Sequence, residues 1–262
     1  MKYLLDFRLQ MIERTSAGDA MLTLTPLDFS KGLAAMKQSR PGQFVNIQVL
    51  RSHDTFLRRP ISICDINIDA ASLFLYVKDA GPATHALCQA TPGELFSILM
   101  PLGNGFDTEL PEGARPLLVA GGVGIAPMLM LSRRFSQQGI RPTILIGAQS
   151  AARLILADEL SQYGELHIST DDGSRGERGL VADNSVFADD FDRIYCCGPL
   201  PMMKAVAAVA RGKEIPCMVS LENKMACGLG ACLCCVEDTR SDGNVCVCTQ
   251  GPVFDTNLLN WQ

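Results

Sequence analysis

Residues Leu117–Met128 read LLVAGGVGIAPM. An apolar run passes into glycines and then into a helix start, the pattern of a buried strand turning into a helix. The wider stretch from Pro116 to Ser132 carries no charge and resembles a short membrane helix in length. Gly121, Gly122, Gly124 and Pro127 break it into strand, turn and helix start, so no membrane span is predicted. Glycine lets a backbone approach a pyrophosphate, and the first amides of the following helix, at its positive dipole end, then face the anion. The spacing departs from G-x-G-x-x-G, because Pro127 stands where the third glycine would be. The next strand also closes with GAQS, without an Asp or Glu. On this segment alone, a tight turn with no ligand stays open.

Downstream, strand and helix signals alternate at short intervals. PTILIGA reads as a strand, then comes a helix around Ala152–Tyr163, the strands ELHIST and RIYCCG, and a helix over Leu200–Arg211. With a helix over Ala126–Gln138 after the glycine turn, this predicts a doubly wound parallel α/β domain over 111–213. A second glycine turn, Cys197-Gly198-Pro199, follows the last of these strands and falls on the same carboxyl edge of the sheet, where ligands bind in open α/β folds. Upstream of the PEGARP linker, the runs MLTLTPL, GQFVNIQVL, SLFLYVKDAG and GELFSILMPLG recur without helices between them. They predict a small antiparallel β-barrel over 1–110. Phe44, Ile47 and Val49 do not alternate cleanly, so the buried face of that run stays open. From residue 214 to 262 the chain turns to short strands, loops and cysteines, a small third domain.

The 262 residues, 47% apolar and 19% charged, suit a folded multidomain protein. A net charge of −5 argues against nucleic acid. Asp6 and Arg8 interrupt the opening residues where a signal peptide needs an apolar run, so a cytoplasmic location is expected. Without export, the eleven cysteines point to metal or redox chemistry rather than disulfides. Cys64, Cys88, Cys196, Cys197 and Cys217 lie in apolar company and read as buried small side chains.

The other six fall between Cys227 and Cys248. Cys227, Cys232 and Cys235 are spaced C-x4-C-x2-C, the plant-type ligand spacing for a [2Fe–2S] cluster. Gly228 and Gly230 let the loop wrap so that amides can point at the sulfurs. Structural zinc prefers pairs of C-x2-C and competes less well. Spacing leaves Cys246 and Cys248 equal as the fourth ligand. In the barrel half, LRRPISI sets Arg58 and Arg59 at a strand start, where an arginine fork matches a pyrophosphate and Ser62 can meet a ring edge. The Gly81-Pro82-Ala83-Thr84 turn offers amides and a hydroxyl. Taken singly, these arginines also read as a solvated face and Thr84 as a helix cap.

In this order the segments resemble the ferredoxin–NADP reductase superfamily, and the cysteine region sharpens the likeness. SLENKMACGLGACLCC followed by CTQGPVF is similar to the electron-transfer subunits of dihydroorotate dehydrogenase B. The resemblance implies FAD held by Arg59, Pro60, Ile61 and Ser62, with Ser62 near N5. It implies that Tyr76, Val77 and Lys78 line the flavin and that Gly81, Ala83 and Thr84 take its pyrophosphate. Gly121, Gly122, Gly124, Cys197, Gly198 and Pro199 would take NAD, and Cys227, Cys232, Cys235 and Cys248 the cluster. Ile61 replaces an aromatic residue that many members stack on the flavin, and Ala83 a common glycine. Cys227 points away from related transhydrogenase subunits, which tend to have Asp there.

The implied partner is an FMN-containing catalytic subunit that oxidises dihydroorotate in pyrimidine synthesis, in a heterotetramer with two of each chain. Electrons would run from FMN through the cluster and FAD to NAD⁺. The flavin is the converter between one-electron and hydride chemistry, so no catalytic acid or base is assigned. His53, His85 and His167 read as structural or surface residues, with His85 alone close to the flavin turn. Ser150 and Arg153 could serve a 2′-phosphate, so NAD over NADP rests on the resemblance. Two other readings are a diaphorase or reductase subunit of another iron–sulfur flavoprotein complex and a zinc-stabilised nucleotide-binding regulator.

Overall fold

The computed structural model describes residues 1–49 and 56–261, so His53 lies outside the described residues. Six strands close the N-terminal barrel: β1 (Tyr3–Arg14), β2 (Ala20–Pro26), β3 (Phe44–Ile47), β4 (Arg59–Asn67), β5 (Ser72–Val77) and β6 (Leu95–Leu102). They run in the order β1-β2-β5-β4-β3-β6, and every pairing between them is antiparallel. Alternation along β1 and β2 turns Phe7, Leu9, Leu22 and Leu24 inward against Ile63, Leu73, Leu75 and Ile98. Strand β3 shows why its pattern resisted reading. Val45 and Ile47 face the barrel interior, while Phe44 joins the core beneath the cysteine region, so all four of its residues are buried.

Two helices interrupt the barrel where the sequence reading expected none. Helix α1 (Phe29–Gln38) starts at Asp28, which caps Lys31 N–H at 3.0 Å, and covers one barrel end with Ala35 and Met36. Its Gly32 conceals it from sequence patterns, yet a side chain there would meet Pro26 at 2.3 Å. Helix α2 (Pro82–Cys88) follows β5 directly.

The second half is a seven-stranded sheet built from β7 (Pro116–Gly121), β8 (Thr143–Ala148), β9 (Glu165–Thr170), β10 (Glu177–Arg178), β11 (Arg193–Cys197), β12 (Cys217–Ser220) and the late strand Val253–Asp255. Helices α3 (Ala126–Gln137), α4 (Ala157–Ser161) and α5 (Leu200–Gly212) connect its parallel strands. The expected helix over Ala152–Tyr163 is mostly absent. Leu154, Ile155 and Leu156 leave helical geometry to pack on the core, with Leu156 at φ 55°, and only the five residues of α4 remain α-helical.

Beyond the sheet, β13 (Val236–Thr239) and β14 (Gly243–Cys246) form a hairpin, followed by α6 (Val247–Gln250) and β15 (Val253–Asp255). Strand β15 returns to pair antiparallel with β12. Residues beyond 214 therefore supply two strands to the nucleotide sheet as well as the cysteine region. Tyr195, fully buried in β11, packs edge-on to Phe106 and donates its hydroxyl to Asp107 O at 2.9 Å, which pins the segment leading out of the barrel. Among the described residues, no helix is long and apolar enough to cross a membrane.

Candidate functional site

The sheet order places β7 between β8 and β11, so the chain reverses its winding at the carboxyl ends of β7 and β11. That is the crevice where open α/β sheets bind ligands, and both glycine turns lie there. Gly124 fits against the second turn so closely that a Cβ would stand 2.3 Å from Cys197 O and 2.6 Å from Gly198 N. Gly122 is left-handed at φ 56° with open space around it. A single turn of 3-10 helix over Gly122–Ile125 leads into α3, and Pro127 sits in the first turn of α3. A helix's first N–H groups have no partner within the helix, so proline costs nothing there. This explains how Pro127 takes the place of the third glycine. A cleft of about 450 Å³ opens above these turns, lined by Gly121, Gly122, Gly147 and Met202 and by Tyr76 and Lys78 from the barrel. Arg153 also reaches the cleft.

On the barrel side the two adjacent arginines separate. Arg58 is committed to the barrel through Ser97 O at 2.7 Å, Ser97 Oγ at 3.0 Å and Gln48 Oε1 at 3.1 Å. Arg59 has no side-chain partner among the described residues. Thr84 Oγ1 accepts Ala80 N–H at 3.0 Å and donates to Gly81 O at 3.1 Å, closing the turn at the start of α2. Val77, Ala83 and Cys197 turn their side chains into the core, so only their backbones face the site. The sequence reading missed Asp19. Its carboxylate accepts the Tyr76 hydroxyl at 2.9 Å and the Asp79 amide at 3.0 Å, fixing both ends of the Tyr76–Lys78 segment. Burial and this carboxylate raise the Tyr76 phenol well above its ordinary range. An acid in a β-hairpin turn carries no sequence signal for such a role. His85 Nδ1 lies 2.7 Å from Asp79 Oδ2, and His167 pairs with Glu165.

In the cysteine region, backbone N–H groups point at three of the sulfurs. Leu229 N donates to Cys227 Sγ at 3.3 Å, Gly230 N to Cys248 Sγ at 3.2 Å and Cys248 N to Cys235 Sγ at 3.4 Å. Left-handed Gly228 and Gly230, at φ 70° and 80°, give the loop this curvature. Burial opposes ionisation of Cys227, but the amides of Leu229 and Cys232 outweigh it and bring the thiol down to about 6. Burial and the neighbouring Cys235 push Cys248 up to about 12, against the Gly230 amide. The Cys246 sulfur instead approaches a carbonyl, Gly230 O, at 3.8 Å. Cys235 and Cys248 are buried, whereas Cys232 and Cys234 are exposed. The five scattered cysteines are all buried, as their apolar company predicts.

Cysteine sulfurs that receive N–H bonds on a glycine-wrapped loop are the donor chemistry a [2Fe–2S] cluster asks for. Among the described residues, no three His, Cys, Asp or Glu stand close enough together to hold a metal ion, the six cysteines of 227–248 included.

Residues 222–260 match the family described as the iron–sulfur cluster binding domain of dihydroorotate dehydrogenase B, and 118–208 match the oxidoreductase NAD-binding domain. The chain is 38% identical over 227 residues to the dihydroorotate dehydrogenase B (NAD(+)) electron transfer subunit of Bacillus caldolyticus, covering 85% of this chain and 88% of that protein. The subunit of Geobacillus kaustophilus matches to the same extent. Among solved structures, a chain of an NADH-dependent reduced ferredoxin-NADP oxidoreductase superposes with a TM-score of 0.85 at 28% identity. It covers 97% of this chain and 90% of its own. The FAD/NAD binding domain of a nitric oxide dioxygenase from Vibrio cholerae shares the fold at a TM-score of 0.66 and 20% identity, over 80% of this chain and 94% of that one.

Proposed function

The chain belongs to the family of dihydroorotate dehydrogenase B electron-transfer subunits, and from that premise we propose that it relays electrons from an FMN-containing catalytic subunit to NAD⁺. A bound [2Fe–2S] cluster supplies one-electron transfer, and a bound FAD couples it to hydride transfer. Within the chain, Arg59 is free to hold the flavin pyrophosphate, assisted by the amides of the Gly81–Thr84 turn. Ser62, opposite Phe44 across the β3–β4 pair, meets the flavin ring edge. Asp19 holds Tyr76 in place along the flavin. The Gly121–Gly124 turn and Cys197-Gly198-Pro199 bind the dinucleotide phosphates and direct the nicotinamide toward the barrel. Cys227, Cys232, Cys235 and Cys248 hold the cluster. The N–H bond to the Cys248 sulfur, against the carbonyl near Cys246, supports Cys248 as the fourth ligand.

One observation carries the reading. The cysteine loop lies against β3, the hydrogen-bonded neighbour of the Arg59–Ser62 strand, since Asn46 Nδ2 donates to Ala226 O at 3.2 Å. The nucleotide cleft reaches Tyr76 on β5 and Lys78 just beyond its end, and β5 is the neighbour of β4 on its other side. A flavin between them adjoins both redox partners. The assembly is a heterotetramer with two copies of each subunit, it works in pyrimidine synthesis, and it is cytoplasmic.

The test is an anaerobic preparation assayed for iron, sulfide and flavin, then mixed with the FMN subunit. About two irons and one FAD per chain, the composition of a single [2Fe–2S] flavoprotein, and NAD⁺ reduction by dihydroorotate only in the mixture are expected. A colourless zinc protein would overturn the reading.

A further inference from the structure

Asn46 is fully buried, and it stands in a strand whose neighbouring residues Val45 and Ile47 fill the barrel interior. A buried amide is costly unless its hydrogen bonds are made. Asn46 uses its donor on the chain 180 residues away, donating a hydrogen bond from Nδ2 to Ala226 O, the carbonyl just before Cys227, at 3.2 Å. Turning the amide over would set an oxygen against that carbonyl, so the orientation is fixed. The acceptor, Oδ1, has no partner among the described residues. An apolar residue would fill the position without stranding that oxygen, so the bond to the loop is what asparagine contributes here.

The loop is pressed onto this side chain. A Cβ on Gly228 would come within 3.1 Å of Asn46 Nδ2 and 3.0 Å of Leu102 Cδ1. On its other side, the Asn46 backbone pairs with Pro60 in the Arg59–Ser62 strand, and its carbonyl accepts from Arg58 Nη1 at 3.4 Å. One residue thus touches both the strand of Arg59–Ser62 and the residue that precedes the first cysteine.

We propose that Asn46 is a positioning residue that sets the separation and orientation of the cluster loop relative to the flavin, and so governs electron passage between them. The inference rests on the flavin and cluster sites described under the proposed function. The passage balances simply. NADH gives the flavin a hydride, two electrons with one proton, and becomes NAD⁺; a second proton comes from solvent. The reduced flavin can give up its electrons singly. One takes the cluster from two ferric irons to one ferric and one ferrous as one proton returns to solvent; with no other acceptor in the mixture, the second electron and its proton stay on the flavin.

The experiment uses the full chain carrying FAD and cluster, as the parent protein and as Asn46→Ala, Asn46→Leu and Asn46→Asp. The leucine variant comes near the shape but removes the donor without burying a charge, and it decides the matter if the others fail to fold. Anaerobic rapid mixing with NADH follows flavin bleaching, and freeze-quenched paramagnetic resonance follows cluster reduction. Flavin bleaching is expected to stay within about twofold of the parent. Cluster reduction is expected to slow on the order of tenfold or more, the scale on which small misplacements act. The resonance of the dithionite-reduced cluster is expected to shift, a change that general loosening of the barrel would not produce. Unaltered cluster reduction with an unaltered resonance would overturn the proposal. Loss of the cluster with flavin reduction intact would overturn it too, making Asn46 a determinant of retention rather than of placement. A parent chain that binds no FAD, or whose FAD does not bleach with NADH, would instead overturn the function on which the proposal rests.

Discussion

Gly124 and Cys248 each perform a task that a single atom's change would end. Alanine at 124 drives a methyl group into the backbone of Cys197 and Gly198, where nothing flexible can yield. Over-packing of this kind costs about 1–3 kcal/mol, and here it falls on the two turns to which we assign the dinucleotide. Gly124→Ala is therefore expected to weaken NADH binding by about tenfold or more, at about 1.4 kcal/mol per tenfold, while FAD content stays at the parent level; titration of NADH against flavin absorbance measures both. At the cluster, Cys248→Ser is expected to remove iron and sulfide, whereas Cys246→Ser retains them, and parallel iron and sulfide assays separate the two. The sequence showed the glycines and the cysteine spacing because such chemistry dictates residue type and interval. It hid Asp19 and the diverging tasks of Arg58 and Arg59, because those depend on which neighbours the folded chain supplies.

Elements differ in legibility for a related reason. Strands β2 and β6 announce themselves because buried residues alternate with less buried ones along most of their length, whereas β5 is buried on both faces and shows as a short apolar run. Helix α1 does not, because it caps a barrel end through a few small contacts and carries a glycine for close approach to Pro26. Helix α4 is shorter than its sequence suggests because tertiary packing claims Leu154–Leu156. The contact between α3 and β4 was also invisible from sequence. There Arg133 lies 2.7 Å from Asp65 Oδ1 and also donates to Ile66 O, joining the nucleotide half to β4. Burial raises the Asp65 carboxyl, and Arg133 counters it. Removing the arginine strands a carboxylate whose side chain is only 15% exposed. Arg133→Ala is expected to cost about 3 kcal/mol in denaturant unfolding, with Asp65→Asn in the same chain recovering part of the loss.

At the scale of the whole molecule, the order barrel, α/β sheet and cysteine region was legible, because each announces itself by a different periodicity. The return of the chain end to the sheet was not, since Val253–Asp255 is three residues long and its partner lies 33 residues earlier or more. This return has a physical effect. Leu221 N donates to Pro252 O at 2.9 Å, and Asn104 of the barrel side holds Gln250 O at 3.0 Å. The segment between them, which carries all four proposed cluster cysteines, leaves the sheet and re-enters it beside its own starting point. Phe254, Leu259 and Trp261 are buried beneath it. Stripping iron with a chelator is therefore expected to expose residues 222–249 to protease, while the trimmed chain still bleaches its flavin with NADH; mass mapping of the fragments and a flavin assay read this directly. That outcome would separate folding from metallation in time. A cell short of iron would accumulate a finished, flavin-loaded chain waiting at an open loop, and its maturation would be paced by cluster delivery.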